Sequence, residues 1–151
     1  MLSVLLGCGK SETGPSELDV KLSMARAIAD AQLPDIRTSI DAERARIAKP
    51  AWTPEAYMTA EESNNRGFFA CAAASGTLPQ LRAAADPRVF VLAQLCDHDL
   101  PLAELAAAVA IVEAAPADQC HIVWVGRHEA FDHRDGDFAP LRARFDQHCK
   151  R

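Results

Sequence analysis

The spacing of apolar residues along the chain predicts a mainly α-helical protein. From Ser16 onward apolar side chains recur at intervals of three and four, which places them on one face of a helix. Ser16 can cap the first helix, and Pro34 is expected to end it because proline cannot continue the hydrogen bonding of a helix. A second helix is predicted from about Asp35 until just before Pro50.

Further helices are predicted in the second part of the chain. Thr53 followed by Pro54 is a good helix start, and this third helix is expected to run to about Ser75. Short helices follow at 77–84 and after Pro87. Residues 88–92 are rich enough in β-branched and aromatic residues to form a strand instead, but residues 93–95 continue a helix well, which favours the helix.

The most apolar segment and the strongest strand pattern lie in the C-terminal half. Residues 101–115 are apolar nearly all round, which is typical of a central core helix. Residues 120–125 are the best strand candidate and need a partner, for which only residues 89–92 are available; otherwise they form an extended segment packed on helices. A last helix is predicted from about Phe138 to Cys149. The expected fold is a compact bundle of about five to six helices, with one short strand or hairpin near 121–125 as an option.

The start of the chain carries a motif of another kind. Leu5-Leu6-Gly7-Cys8 resembles the lipobox of bacterial lipoproteins, in which the cysteine is lipidated and becomes the new N-terminus. No Lys or Arg precedes Cys8, and the apolar stretch is shorter than the ~7–15 residues of an export signal. We therefore expect the true start to lie further upstream. Residues 1–7 would be a remnant of the signal, residues 8–15 the lipidated cysteine and a flexible tether, and residues 16–151 a single helical domain. The alternative is a short buried strand at residues 2–6.

The cysteine count agrees with export. The chain has five cysteines, and if Cys8 carries lipid an even number remains, as expected in an oxidising compartment: Cys71, Cys96, Cys120 and Cys149. Four cysteines allow several pairings, and we predict that neighbours in chain order pair, Cys71 with Cys96 and Cys120 with Cys149. The alternative is that they are buried reduced thiols of a cytosolic protein. Their wide spacing argues against a zinc site, which needs close pairs.

Charge and motifs exclude several function classes. The net charge of -5 and the lack of clustered basic residues argue against nucleic acid as a partner. Gly9-Lys10-Ser11 resembles the end of a phosphate-binding loop, but Val4 stands where the first glycine should be, and no cofactor is expected. Histidines and acids are dense between residues 121 and 148, yet they lack the order of a calcium loop or a zinc hydrolase, and no metal is expected.

Catalytic residues are not evident in the pattern. No nucleophile elbow occurs. His98 between Asp97 and Asp99 could be a base oriented by a carboxylate, although a helix-ending turn is the simpler interpretation. We therefore expect a non-catalytic protein that acts by protein–protein interaction, held by the lipid on Cys8 at the periplasmic face of the outer membrane. Gly9 supports the outer membrane, because in many Gram-negative lipoproteins an aspartate at that position retains them at the inner membrane.

Two more specific functions remain open. The run from Asn65 to Ala72 is similar to the cysteine-bearing helix of immunity proteins against type VI secretion amidase effectors, which implies neutralisation of a periplasm-targeted toxin. The other class is a cytosolic α/β protein or small enzyme with free thiols. For partner binding we predict an acidic loop with Phe131 as its apolar anchor, or a polar stretch of the third helix. The candidate residues are Glu129, Phe131, Asp132, Asp135 and Asp137 in the loop, and Glu62, Asn65 and Arg66 in the helix.

Overall fold

Helices form nearly all of the described chain and confirm the predicted mainly α fold. The computed structural model describes residues 14–50, 52–114 and 120–149, and it contains no strand within these ranges. The helices are α1 (Glu17–Ala48), α2 (Pro54–Ser75), α3 (Leu78–Ala83), α4 (Arg88–Ala93), α5 (Leu100–Ala114), α6 (Cys120–Gly126) and α7 (Phe138–His148). A π-helical segment (Gln94–Asp99) joins α4 to α5, and a 3₁₀ segment (His128–Asp132) precedes α7.

Helix α1 begins where the sequence predicts but does not end there. The Ser16 side chain accepts a hydrogen bond from the Asp19 backbone N–H at 3.1 Å, and the Asp19 carboxylate accepts one from the Ser16 backbone N–H at 3.2 Å. The predicted break at Pro34 is wrong, because this residue lies inside one continuous helix. Buried residues keep one helical face on both sides of it, from Ala25 to Ile40. Packing of that face on α2 and α5 outweighs the ~3 kcal/mol cost of an internal proline.

The strand expected at residues 120–125 is also absent, since this segment forms α6. A strand needs a partner for its backbone groups, whereas a helix satisfies them within the segment. The helical arc places Val123 in the interior and leaves His121 and Ile122 exposed. Residues 88–92, the candidate partner among the described residues, are helical too. The α/β alternative therefore has no support within the described ranges.

The π-helical segment is explained by the proline that follows it. In a regular α-helix the ring of Pro101 would collide with the carbonyl of Asp97, and its missing N–H would leave that carbonyl without a partner. The helical turn instead contains one extra residue, so that the Leu100 backbone N–H donates to the carbonyl of Leu95, five residues earlier. The helix thus continues from Arg88 to Ala114 without a break, with a bulge at residues 94–99.

Helix α5 is the central helix of the bundle, as its apolar sequence predicts. Nine of its residues are buried, and it packs against α1 and α7. Two hydrophobic clusters meet along it. The first cluster lies between α1, α2, α4 and the start of α5 and consists of Ala25, Ala29, Ile36, Ile40, Ala70, Ala74, Leu81, Leu92, Leu100 and Ala103. The second lies between α5, α6 and α7 and consists of Leu105, Ala108, Val109, Ile111, Val112, Val123, Ala130, Phe131, Phe138 and Phe145.

Each cluster carries one disulfide, and the pairing is the predicted one. Cys71 on α2 bonds to Cys96 in the π-helical segment, and both pack on the first cluster. Cys120 at the start of α6 bonds to Cys149 after α7, and both pack on the second cluster. Half of the first cluster is alanine, which buries little apolar area per residue. A covalent link is therefore an important part of what holds α2 to the π-helical segment.

An ion-pair network fixes α4 against α1. The Arg26 side chain donates to the Asp86 carboxylate at 2.7 Å, and Arg88 donates both to Asp86 at 3.0 Å and to Asp30 at 2.7 Å. The hydrogen bond from Arg26, supported by that from the Arg88 backbone, lowers the pKa of Asp86 to about 2. This carboxyl therefore stays ionised at all but very acidic pH, and it orients the first turn of α4.

Helices α1 and α2 approach each other closely at Gly67. A Cβ atom on this residue would lie 2.7 Å from Cβ and 2.8 Å from Oγ of Ser39, and 3.1 Å from Cδ2 of Leu100. Ser39 is completely buried, which leaves its side chain no room to turn away. The glycine is thus required by the contact between two helices and is not a weak point of α2.

Substituting Gly67→Ala is expected to lower the free energy of unfolding by about 1–3 kcal/mol, because the added methyl group forces two packed helices apart. The ~1 kcal/mol that alanine gains in helix propensity is smaller than this cost. Urea unfolding measures the difference. Gly76→Ala is the matched control, since its nearest neighbour would be an ordinary contact at 3.4 Å. An unchanged or raised stability in Gly67→Ala would contradict the close approach.

Candidate interaction groove

A groove of about 280 Å³ opens where α2, α3, α4, the π-helical segment and the 3₁₀ segment surround the start of α5. We call it the acidic groove. Its floor is apolar and includes Phe68, Ala74, Val89, Leu92 and Leu100. Its charged and polar rim includes Arg82, Asp97, Glu104, Glu129 and His133. The Cys71–Cys96 disulfide forms part of the wall between them.

The floor is positioned by the first hydrophobic cluster. Ala74, Leu92 and Leu100 are members of that cluster, and each keeps a surface toward the groove. The disulfide holds α2 at a fixed distance from the π-helical segment, with Cα atoms 5.7 Å apart. The groove is therefore built on covalently linked helices and is largely preformed, as binding sites usually are.

The rim carries an excess of negative charge. Three carboxylates, of Asp97, Glu104 and Glu129, face a single guanidinium, of Arg82. Asp97 and Glu129 are exposed, whereas Glu104 is only 7% exposed. Within the ranges that the structure describes, neither Asp97 nor Glu129 has an ion-pair partner. These two carboxylates are available to a cation from outside.

Exposed aromatic side chains lie beside the groove. Phe68 lines it and is 41% exposed, and its ring meets that of Phe69, 66% exposed, edge to face at 5.5 Å between centroids. Phe90, 77% exposed, lies on α4 next to the groove-lining Val89. Large aromatic side chains are costly to leave in water, and they are enriched at protein interfaces. This face therefore has the apolar surface that a partner would cover.

A histidine of the π-helical segment holds the loop before α7. His98 Nδ1 lies 2.8 Å from the Asp99 carboxylate, and its Nε2 lies 3.4 Å from the carboxylate of Asp137, the residue that precedes α7. The hydrogen bond with Asp99 raises the pKa of His98 above its usual range, and the contact with Asp137 acts in the same direction. The ring of His133, on the groove rim, stacks on Phe138 at 4.6 Å between centroids. His98 therefore links the π-helical segment to the loop that carries one wall of the groove.

The stabilising effect of His98 is expected to depend on pH. Because its pKa is raised in the folded protein, the contribution is fully present below the unfolded pKa of 6.5 and is lost as pH rises through the higher folded value. His98→Gln should therefore destabilise the protein more at mildly acidic than at alkaline pH. Urea unfolding of the native protein and of His98→Gln, at mildly acidic and at alkaline pH, measures this difference in destabilisation. A difference that is the same at both pH values would contradict the paired, charged histidine.

The residues of the predicted acidic loop lie in different places, and their role in partner binding stays a prediction. Glu129 lies on the rim of the acidic groove, and Asp137 contacts His98. Asp132 and Asp135 are exposed but do not line the groove. Phe131 as an exposed apolar anchor is wrong: it is 3% exposed, and its ring packs on Phe145 at 4.6 Å between centroids. The 3₁₀ turn directs this side chain into the second cluster, where it is one of the large buried apolar residues.

The predicted polar stretch of α2 lies beside the groove and not in it. Asn65 and Arg66 are exposed, one turn before Phe68. The side chain of Glu62 and the lipidation candidate Cys8 lie outside what the structure describes.

The residues that sequence reasoning missed are Asp97, Glu104 and Phe68, and only their acidic or aromatic character on helix faces could have signalled them. The groove itself is formed by residues that are far apart in the sequence.

Among the described residues, no helix is both long and apolar enough to span a membrane. The same part of the chain contains no group of three or more side chains that could hold a metal ion. No family model matches the sequence, and no curated protein or solved structure is significantly similar to it.

Proposed function

We propose that this protein is a lipid-anchored protein of the cell envelope that acts by binding another protein through the acidic groove, without catalysis. The observation that carries the proposal is the preformed groove, whose apolar floor and exposed aromatic neighbours lie next to available carboxylates. Interfaces with partners have this combination of an apolar centre and a polar rim. Attachment through Cys8 would place the domain at the periplasmic face of the outer membrane.

The disulfides support the envelope part of the proposal. All four cysteines other than Cys8 are paired in two bonds, as suits an oxidising compartment and not the reducing cytosol. A lipid anchor followed by the tether of residues 8–15 keeps the domain close to other envelope proteins. This raises its effective concentration without any additional contact energy.

Immunity against a periplasm-targeted toxin is the second candidate, and one observation favours it. The run from Asn65 to Ala72, which is similar to the cysteine-bearing helix of type VI immunity proteins, supplies three residues to the groove wall: Phe68, Cys71 and Ala72. On this proposal the partner is a secreted toxin, and the groove is where the toxin is held. Deleting the gene would then sensitise cells to neighbours that secrete the toxin, whereas a structural envelope protein would cause no such sensitivity.

Site-specific photo-crosslinking in cells tests the groove as the binding surface. A crosslinking residue at Ala72 or Ala93, both exposed and both lining the groove, should give the same covalent product with one envelope or toxin protein. Ala31, exposed on α1 and away from the groove, is the matched control and should give none. Equal products from all three positions, or none from the groove positions, would contradict the proposal.

A further inference from the structure

We propose that the acidic groove recognises a basic segment of its partner, with an arginine or lysine side chain lying along the apolar floor and its charged end between Asp97 and Glu129. This inference rests on the proposed function and adds the chemistry of the partner. It is carried by the juxtaposition, in one groove, of an apolar floor with two exposed carboxylates that have no ion-pair partner among the described residues.

The charge of the groove selects the sign of the partner. Asp97 and Glu129 come from different elements, the π-helical segment and the 3₁₀ segment, and they face the same space. An acidic segment would meet like charges, which disfavours the wrong partner by repulsion. An apolar segment would remove water from these carboxylates without replacing the lost hydrogen bonds, and a neutral polar segment would replace the hydrogen bonds without gaining from the charge. Only a cationic group both satisfies them and gains from their charge.

The shape and polarity of the groove favour a long cationic side chain. Arginine and lysine place their methylene groups along apolar surface while the charged end stays among polar groups. Phe68 lines the groove, so its aromatic ring is available to contact a guanidinium or ammonium group there. A groove of about 280 Å³ accommodates a few side chains of an extended or helical segment, not a whole domain. Arginine in particular is enriched among the residues that dominate binding energy.

The wall that carries Glu129 is held in place by contacts on the far side of the loop. His98 pairs with Asp137, and His133 stacks on Phe138, so the segment between the 3₁₀ turn and α7 is fixed at both ends. The two carboxylates are therefore positioned before the partner arrives. Preorganisation of this kind lowers the entropic cost of binding.

A second copy of this chain is a less suitable occupant. Each copy has a net charge of -5, and two such copies repel each other at low salt. The alternative from the same chain is the undescribed stretch before residue 14, which contains Lys10. The following experiment distinguishes a second copy and the N-terminal stretch from a partner of opposite charge.

Neutralising the two carboxylates tests the proposal directly. The probe is a short blocked peptide that repeats Leu-Arg-Ala, used beside otherwise identical peptides with glutamine or glutamate in place of arginine. Binding to the oxidised protein is followed by NMR chemical shifts at Ala93 and Ala72. We expect the D97N/E129Q substitutions to lower the affinity for the arginine peptide by roughly tenfold, since two partly exposed ion pairs are lost. D35N/D41N, which changes the net charge equally at exposed sites on α1 outside the groove, should leave its affinity unchanged.

Several results would overturn the proposal. They are equal binding of the glutamine or glutamate peptide, equal weakening by D35N/D41N, or no shift at the groove with the arginine peptide. Dimers that D97N/E129Q dissociates would identify a second copy as the occupant, and groove shifts on removing residues 1–13 would identify the chain's own N-terminal stretch. If the groove crosslinks of the previous subsection still form while the arginine peptide fails, partner binding stands and only the basic chemistry is wrong.

Discussion

Replacing Cys71, Cys96, Cys120 and Cys149 together with alanine is expected to leave the protein largely unfolded at ambient temperature. The two disulfides close loops of 25 and 29 residues. Restricting the unfolded chain in this way stabilises by about 3–4 kcal/mol for each loop. Their sum approaches the ~5–15 kcal/mol by which a typical domain is stable. Far-ultraviolet circular dichroism through a urea titration should show lost helicity and no cooperative transition.

Removing one disulfide at a time is expected to have a smaller effect. Cys71→Ala/Cys96→Ala and Cys120→Ala/Cys149→Ala should each keep a cooperative transition at a lower urea midpoint. The first pair holds a cluster that is half alanine and lines the groove, so its removal should also weaken binding of the groove probe. Cys8→Ala removes a cysteine but no disulfide and is the control. A four-alanine chain within about 1 kcal/mol of the native stability would refute the stapling role.

Arg127→Met is expected to lower the free energy of unfolding by about 3 kcal/mol or more. The side chains of Arg127 and Glu43 are both completely buried, with Nη2 and Oε1 3.6 Å apart. Methionine keeps most of the length of arginine but removes the charge, while Glu43 stays in the interior and keeps its ion pair with Arg46 at 2.9 Å. Removing one member of a buried pair is costly because the other member stays desolvated. Urea unfolding at neutral pH measures the loss.

A double-mutant cycle and a surface control identify the cause. Glu43→Gln/Arg127→Met should be less destabilising than the sum of the two single changes, because neither variant side chain leaves a buried charge alone. Lys21→Met breaks an exposed pair with Glu17 and should cost less than about 1 kcal/mol. Additive single effects, or a loss in Arg127→Met no larger than in Lys21→Met, would contradict a buried ion pair between α1 and the segment after α6.

The fold class and the core helices could be predicted from spacing because each is a local property. The capping of α1 by Ser16, the start of α2 at Pro54 and the central position of α5 all follow from a few neighbouring residues. The errors arose where tertiary contacts override local preference. Pro34 is tolerated because a long face packs on two other helices. Residues 120–125 are helical despite their β-branched composition because no strand lies beside them within the described part of the chain.

The candidate site was less predictable than the fold. Glu129 was identified because acidic residues are dense around it, but that density did not distinguish it from Asp132 and Asp135, which lie outside the groove. Phe131 was misassigned because sequence cannot tell an exposed aromatic residue from a buried one in an irregular turn. Asp97 lines the groove from within the π-helical segment, and the spacing of apolar residues predicted neither the segment nor the groove.

The disulfide pairing was predicted correctly, although spacing did not require it. The choice of neighbours in chain order succeeded because each pair lies within one of the two clusters. Each cluster is built mainly from elements that lie near one another in the chain, which brings cysteines 25 and 29 residues apart into contact.

We propose that the protein is exported, disulfide-bonded and lipid-anchored, and its intact mass tests this proposal most directly. The protein would be purified from its native membrane fraction and weighed before and after reduction and alkylation. We predict a diacylglyceryl or triacyl addition on Cys8 and four alkylation sites that appear only after reduction. An unmodified chain that begins at Met1 and whose cysteines are alkylated without reduction would contradict the account.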